Sequence, residues 1–276
     1  MIIDSHQHFW KFDLMKDSWM DDSMEVIKKD FLPKDLKPIL ERNNVDGCIA
    51  VQADQSEEET KFLLQCAKEN PFIKGVVGWV DLIADTIEDR LEYFSENDFF
   101  KGVRHIVQAE KTDFVLRKDF QNGISKLEQF NLTYDILVYP NQLPAVIELV
   151  GKFPNQEFIL DHIAKPRISE GMNNQWLKNI RLLAANENVS CKLSGLVTET
   201  EDFKWSKNDF TPFLDAIVGA FGIDRILFGS DWPVCLLEAK YEEVIEIIYD
   251  YFLTYSSESK AKVFGENALK VYNISR

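Results

Sequence analysis

The chain has 276 residues, of which 45% are hydrophobic and 28% are charged. These proportions are ordinary for a globular protein and exclude an extensively disordered chain, a collagen and a membrane protein. The formal net charge of −15 leaves no surplus of cations for a phosphate backbone, so we expect no nucleic-acid partner. Its four cysteines form no C-x-x-C pair, and neither a signal peptide nor a long apolar segment is evident, so we expect a cytoplasmic protein that binds no membrane.

Short runs rich in Val, Ile and Phe recur along the chain, each followed by a longer stretch with helical periodicity. The runs predict strands over 2–9, 46–53, 73–80, 101–108, 132–139, 157–162, 189–193 and 225–230. The clearest helical stretches between them are 56–70, 85–97, 141–153, 175–186 and 241–252. Ser56 and Glu59 have the spacing of a capping box at the start of the first of these helices.

Alternation of strands and helices predicts parallel strands joined by right-handed crossovers. The first and last strands begin 223 residues apart, which is about 32 residues per unit and fits a single-domain (β/α)8 barrel over residues 1–276. An open doubly wound sheet is the alternative, but the first strand–helix junction carries no glycine-rich phosphate loop. Two long connections, 10–32 and 197–208, are expected over the catalytic face of the barrel, where such loops act as lids.

All four histidines lie at or near the C-terminal ends of predicted strands, where barrel active sites are built. His6 and His8 end the first strand, and alternation directs both to one side, with Asp4 expected beneath them. Asp231 ends the last strand, which closure brings beside the first. Two imidazoles and a carboxylate around one point can hold a catalytic zinc ion with a water in its open position.

Asp231 is also a candidate general base, because a carboxylate beside a water molecule can take its proton with or without a metal ion. His162 is expected to bind an ion, to orient a group or to polarise a substrate carbonyl. Arg104 and His105 are adjacent on the fourth strand, so only one of them points into the barrel, and we favour Arg104 as the cation that stabilises a developing oxyanion. Glu110 is an additional candidate ligand. No G-x-S-x-G elbow is present, so activated water is the expected nucleophile.

Several segments together resemble one family of barrel enzymes. They are DSHQHFW, VQAD, VVGWVDL, KGVRH, LDHIAKP, CKLSGL, LFGSDWPVC and GENALKVY. In composition and order they are similar to the amidohydrolase superfamily (amidohydrolase family 2), in particular to its lactonase branch of L-fuconolactonase-like and L-rhamnonolactonase-like enzymes. The resemblance spans nearly the whole chain.

The resemblance implies a (β/α)8 barrel that hydrolyses a sugar lactone, such as L-fucono- or L-rhamnonolactone, to the aldonic acid. The matching positions are His6 and His8 after strand 1, His162 after strand 6 and Asp231 after strand 8. The candidates for contacts with sugar hydroxyls are Gln7, Trp10, Lys165, Lys192 and Trp232.

One departure from the family pattern concerns the metal. Many metal-dependent members have a histidine after strand 5, whereas this chain reads LTYDILVYP there. We therefore expect one divalent ion, zinc, at His6, His8 and Asp231, and a metal-free reaction with water held by Asp231 stays open. A decarboxylase, a nuclease or an amide or ester hydrolase of the superfamily is also compatible with these motifs, and so is a catalytically silent binding barrel. A homodimer through the exterior helices stays open as well.

Overall fold

Eight parallel strands form the centre of the molecule, as described by a computed structural model for residues 1–200 and 204–275. The strands are β1 (Ile3–Gln7), β2 (Gly47–Val51), β3 (Ile73–Gly78), β4 (Phe100–His105), β5 (Thr133–Ile136), β6 (Phe158–Leu160), β7 (Val189–Leu193) and β8 (Ile226–Phe228). Each strand pairs with the next in chain order. All eight predicted strands are confirmed, and so is the (β/α)8 barrel.

Helices surround the strands on the outside. Within the described residues they are α1 (Pro33–Arg42), α2 (Glu57–Glu69), α3 (Ile87–Ser95), α4 (Lys118–Leu127), α5 (Leu143–Lys152), α6 (Asn174–Ala184), α7 (Lys207–Phe221), α8 (Tyr241–Tyr251), α9 (Ser257–Ala261) and α10 (Asn267–Val271). The five helices expected from periodicity are α2, α3, α5, α6 and α8. None of the helices in these ranges is long and apolar enough to cross a lipid bilayer.

The predicted capping box of α2 is half correct. Ser56 accepts a hydrogen bond from the backbone N–H of Glu59, at 3.2 Å. The Glu59 carboxyl group, however, accepts from the backbone N–H groups of Ala53 and Asp54 and not from that of Ser56. Glu59 therefore fixes the connection after β2 as well as the start of α2.

Two apolar cores hold the barrel together. The larger lies between the strands and the outer helices. The smaller fills the barrel interior with side chains from alternate strand positions, among them Ile49, Val77 and Leu227. Leu269 and Tyr272 of the C-terminal segment pack against this inner core, so the chain end closes the N-terminal end of the barrel. The opposite end, where the strands terminate, is left for a site.

The long connection after β1 is a closed loop over that end. Trp10 and Phe31 exchange two backbone hydrogen bonds of 3.0 Å at its neck. The other long connection, after β7, includes residues 201–203, which lie outside the described residues.

Candidate active site

The seam between β1 and β8 brings together residues that are more than 200 positions apart. The backbone N–H of Asp231 donates to the carbonyl of His6 at 2.8 Å, and that of His8 donates to the carbonyl of Trp232 at 2.7 Å. Gly229 permits this approach, because a Cβ there would lie 2.7 Å from the Cβ of His6. Barrel closure therefore determines the position of Asp231 beside the two histidines.

Three ligand-type atoms meet at this seam. The Nε2 atoms of His6 and His8 are 3.2 Å apart. The Oδ1 atom of Asp231 lies 3.3 Å from Nε2 of His8 and 3.7 Å from Nε2 of His6. All three residues are buried. The geometry thus unites the three residues that the sequence predicted as metal ligands.

His162 joins this group from an unusual backbone segment. Four consecutive residues from His162 to Lys165 have φ between 49° and 61°, in the left-handed region. Such backbone costs L-residues free energy and is common where side chains must be aimed at a site. The turn directs Nε2 of His162 to 3.9 Å from Oδ1 of Asp231. Gly195 faces this ring, since a Cβ there would lie 2.5 Å from Nδ1 of His162.

A network of buried charges lies directly beneath the histidines. Lys192 is fully buried, and its Nζ lies 2.5 Å from Oδ2 of Asp135 and 2.9 Å from Oδ1 of Asp161. Asp161 also accepts from Nη1 of Arg104 at 3.0 Å. Nη1 of Arg104 is 3.3 Å from Nε2 of His6. The Arg104 guanidinium donates further to the backbone carbonyl of Gln52, so its orientation is fixed on several sides.

Protonation in the site follows from burial and from these neighbours. Burial lowers the pKa of His6 well below its usual value and that of His162 to about 4, so both rings are neutral at pH 7. Burial opposes ionisation of Asp231, but the surrounding imidazoles of His162, His8 and His6 outweigh it and hold the pKa of Asp231 below its ordinary range. Asp231 is therefore a carboxylate. Lys192 likewise outweighs burial and holds the pKa of Asp161 well below its usual value.

The tautomer of His8 is determined by one contact. Its Nδ1 lies 2.8 Å from the backbone carbonyl oxygen of Val51. Because a carbonyl only accepts, Nδ1 carries the proton and Nε2 keeps its lone pair toward the cluster. This arrangement is typical of histidines that bind metal ions.

A cavity of about 320 Å³ opens directly above the cluster. His8, Arg104, His162 and Asp231 form its polar floor. Its walls are largely apolar and come from the connections after β1, β2, β4, β5 and β8: Trp10, Trp19, Ala53, Ile106, Ala109, Leu137 and Val234. A small molecule with one polar reactive edge fits such a pocket.

Of the five residues expected to contact sugar hydroxyls, Trp10 and Lys165 line the cavity. The other three do not, and those expectations are corrected. Gln7 is buried with its amide donating to Sγ of Cys48. Trp232 is buried against Phe31, with ring centroids 5.2 Å apart. Lys192 lies in the charge network beneath the histidines.

The fourth histidine and two acids are also absent from the cluster. His105 points outward, stacks on Phe114 at 4.9 Å and lies 3.3 Å from Glu110, so strand alternation leaves Arg104 as the inward residue. Glu110 is therefore not beside the other candidate ligands. Asp4 accepts from Ser230 and Tyr241 on the outer side, because the β1–β2 register shifts between Asp4 and Gln7.

Sequence reasoning missed the acids of the charge network, Asp135 and Asp161. Asp161 immediately precedes His162, and Asp135 is the one charged residue of β5. A lone acid in a strand that is predicted to be fully buried is the signal that identifies both, because an acid is rarely buried without a partner.

The fold and the cluster define a (β/α)8 barrel whose mouth carries two histidines on β1 and its extension, one after β6 and an aspartate after β8. The chain belongs to the amidohydrolase family, whose model matches residues 3–274.

Two curated relatives match nearly the whole chain. The L-fucono-1,5-lactonase of Burkholderia multivorans is 36% identical over 98% of this chain and 95% of its own. The L-fucono-1,5-lactonase of Burkholderia ambifaria is 34% identical over 99% of this chain and 96% of its own. A crystal structure of a Burkholderia multivorans amidohydrolase with bound zinc superposes with a TM-score of 0.96 at 36% identity, and all of each chain is covered.

Proposed function

We propose that this protein is a lactonase that hydrolyses a sugar lactone to the open-chain aldonic acid. The observation that carries the proposal is the cluster of His6, His8, His162 and Asp231, of which His8, His162 and Asp231 lie on the floor of one cavity. Two relatives named L-fucono-1,5-lactonase, at 36% and 34% identity, support a six-carbon sugar lactone as the substrate class.

The same residues are suited to one divalent ion, which we propose to be zinc. The Nε2 atoms of the two imidazoles are 3.2 Å apart, and two lone pairs at that distance would repel each other, so a proton or a cation must lie between them. Asp231 adds a carboxylate, and Val51 fixes the tautomer of His8. Nitrogen and oxygen donors in this number suit a catalytic zinc site, and a related structure contains zinc. When bound, such an ion supplies Lewis-acid polarisation of a carbonyl and acidifies a bound water.

The protein's own groups account for the proton transfers. The Asp231 carboxylate takes a proton from the attacking water as the water oxygen bonds to the lactone carbonyl carbon. The neutral His162 ring and the Arg104 guanidinium face the cavity and donate to the oxyanion that forms. The ring C–O bond then breaks, and Asp231 returns the proton to the departing alkoxide oxygen. The product is one hydroxy acid, with the atoms of lactone and water conserved.

The test is an acid-release assay in weak buffer with L-fucono-1,5-lactone, an L-rhamnonolactone and an aromatic carboxylic acid as a decarboxylation probe. We expect proton release with the lactones at a rate well above the uncatalysed hydrolysis and no CO₂ from the acid. No release above background overturns the proposal. Elemental analysis with chelation tests the ion separately: full activity in metal-free protein leaves only the metal-free version of the reaction.

A further inference from the structure

Two cavities meet at the mouth of the barrel. The inner one, above the histidine cluster, measures about 320 Å³, and an outer cleft beside it measures about 1050 Å³. The residues that line both are Trp19, Gln108, Lys165 and Val234. They come from the connections after β1, β4, β6 and β8 respectively, so they surround the boundary between the two spaces. We call these four residues the collar.

Trp19 has the largest side chain in the collar and is 45% exposed. Its indole contacts the ring of Trp10 edge-on, with ring centroids 6.4 Å apart. A tryptophan that is half exposed at the edge of a pocket keeps a large apolar surface that a bound ligand can cover. Lys165, in contrast, is already paired with Glu199 at 3.3 Å.

The loop that carries Trp19 is fixed at its base. Beyond the two backbone hydrogen bonds between Trp10 and Phe31, the indole N–H of Trp10 donates to the carbonyl of Lys29 at 2.9 Å. Trp10 therefore holds the loop from both sides while its own ring lines the inner cavity. The position of Trp19 is thereby tied to the wall of the site.

We propose that Trp19 is a specificity-determining residue that restricts the inner cavity to lactones of a single sugar ring. This inference rests on the proposed lactonase function. The inner cavity lies at the lower end of the roughly 300–1,000 Å³ range of small-molecule sites, whereas the outer cleft has room for a second ring. A lactone that carries another sugar must pass the collar to bring its carbonyl to Asp231, and the indole occupies that path.

The experiment compares kcat/KM for L-fucono-1,5-lactone and for a disaccharide lactone, cellobiono-1,5-lactone, with uncatalysed hydrolysis subtracted. In Trp19→Ala we expect the ratio of two-ring to one-ring kcat/KM to rise about tenfold or more, mainly through a lower KM for the larger substrate. Trp19→Phe should give an intermediate ratio. Tyr93→Ala removes an aromatic ring that is 51% exposed on α3, remote from both cavities, and should leave the ratio unchanged.

Melting temperatures verify that each variant is folded. If Trp19→Ala does not fold, the ratio measured for Trp19→Phe tests the role of Trp19. An unchanged ratio in the folded variants, with a wild-type protein that hydrolyses the one-ring lactone, overturns the role of Trp19 alone. A wild-type protein that hydrolyses neither lactone overturns the proposed function, and this inference falls with it. Efficient wild-type hydrolysis of the two-ring lactone also contradicts the proposal.

Discussion

Asp231 and His162, the two residues that face the reacting carbonyl in our proposal, both have left-handed backbone, with φ of 59° and 53°. Each such residue costs on the order of 1–3 kcal/mol, which the surrounding structure must offset. The seam hydrogen bond from Asp231 to the His6 carbonyl supplies part of that offset. The strain aims both side chains at one point, which extended backbone after β6 and β8 would not do.

Asp231→Asn tests the proton transfer with little change of structure. Asparagine tolerates left-handed backbone nearly as well as any residue except glycine, and it has the shape of aspartate. Because an amide does not take the proton of water, we expect kcat for the lactone to fall about 10²- to 10⁴-fold. Steady-state kinetics measure the loss, and an unchanged melting temperature serves as the control. A kcat within twofold of the wild-type value contradicts the assignment.

The site residues that follow from spacing along the chain and from barrel closure were predictable. Those whose roles depend on side-chain contacts in three dimensions were not. The spacing of His6 and His8 at the end of a strand indicated a shared direction, and barrel closure indicated Asp231. Gln7 was misjudged because its neighbours in the chain are site residues while its side chain turns away. No pattern in the sequence distinguishes a lysine that contacts substrate from one that, like Lys192, neutralises buried acids.

The end of a helix allows the cost of left-handed backbone to be tested without changing a site residue. After α4 the chain makes one tighter turn and ends at Asn131, which is exposed and has a φ of 54°. Asn131→Ala places a Cβ-bearing residue with no compensating polar side chain in this left-handed position, at a cost of about 1 kcal/mol. We expect the melting temperature to fall by about 2–4 °C. Asn131→Gly, which suits the same backbone, should not lower it, and equal losses in both variants refute the explanation.

The start of α2 predicts a pH dependence of stability. Burial raises the pKa of Glu59 from 4.5 to about 8. The folded protein therefore keeps this proton at pH 6.5–8 while the unfolded chain has released it. Stability that is fully present below pH 4.5 is lost as the pH rises toward 8, by up to about 1.4 kcal/mol per pH unit.

Glu59→Gln isolates this group, because glutamine stays neutral over the same range. Urea unfolding at several pH values from 5 to 8 should show a free energy of unfolding that declines more steeply in the wild-type protein than in the variant. The histidines titrate in both proteins, so their contribution drops out when the free energy of unfolding of the variant is subtracted from that of the wild-type protein at each pH. Parallel curves exclude a raised pKa for Glu59 in the folded protein.

The elements themselves were predictable, since strand and helix periodicities are properties of consecutive residues. All eight strands were found within a few residues, and their spacing indicated a closed barrel. The hydrogen-bond partners of Glu59 at the start of α2 were not predictable. The capping-box pattern specifies the backbone N–H of Ser56, but the Glu59 side chain accepts from those of Ala53 and Asp54. The register shift in β1 was also not predictable from the sequence. Because of this shift, the side chain of Asp4 lies on the outer side of the strand, whereas that of His6 belongs to the cluster.

At the scale of the whole molecule, a column of buried polar side chains inside the barrel connects the C-terminal segment with the active site. Tyr272 packs in the inner core at the closed end, and its hydroxyl donates to Oδ2 of Asp135 at 2.7 Å. Asp135 in turn holds Lys192, whose Nζ is 3.1 Å from Nδ1 of His6. The C-terminal segment therefore both seals the barrel and contributes the lowest member of the polar network beneath the site.

Tyr272→Phe removes only the hydroxyl of this column. Asp135 then loses one of its hydrogen-bond donors while it remains buried, and we expect the free energy of unfolding to fall by about 1–3 kcal/mol. Because Lys192 still lies between Asp135 and Asp161, kcat/KM for the lactone should decrease far less than in Asp231→Asn. Tyr249→Phe is the matched control: this tyrosine stacks on Phe264 at 4.3 Å, away from the polar column, and the same change there should alter stability by less than about 0.5 kcal/mol. Equal effects of the two substitutions on unfolding would show that the hydroxyl of Tyr272 adds nothing specific to the network.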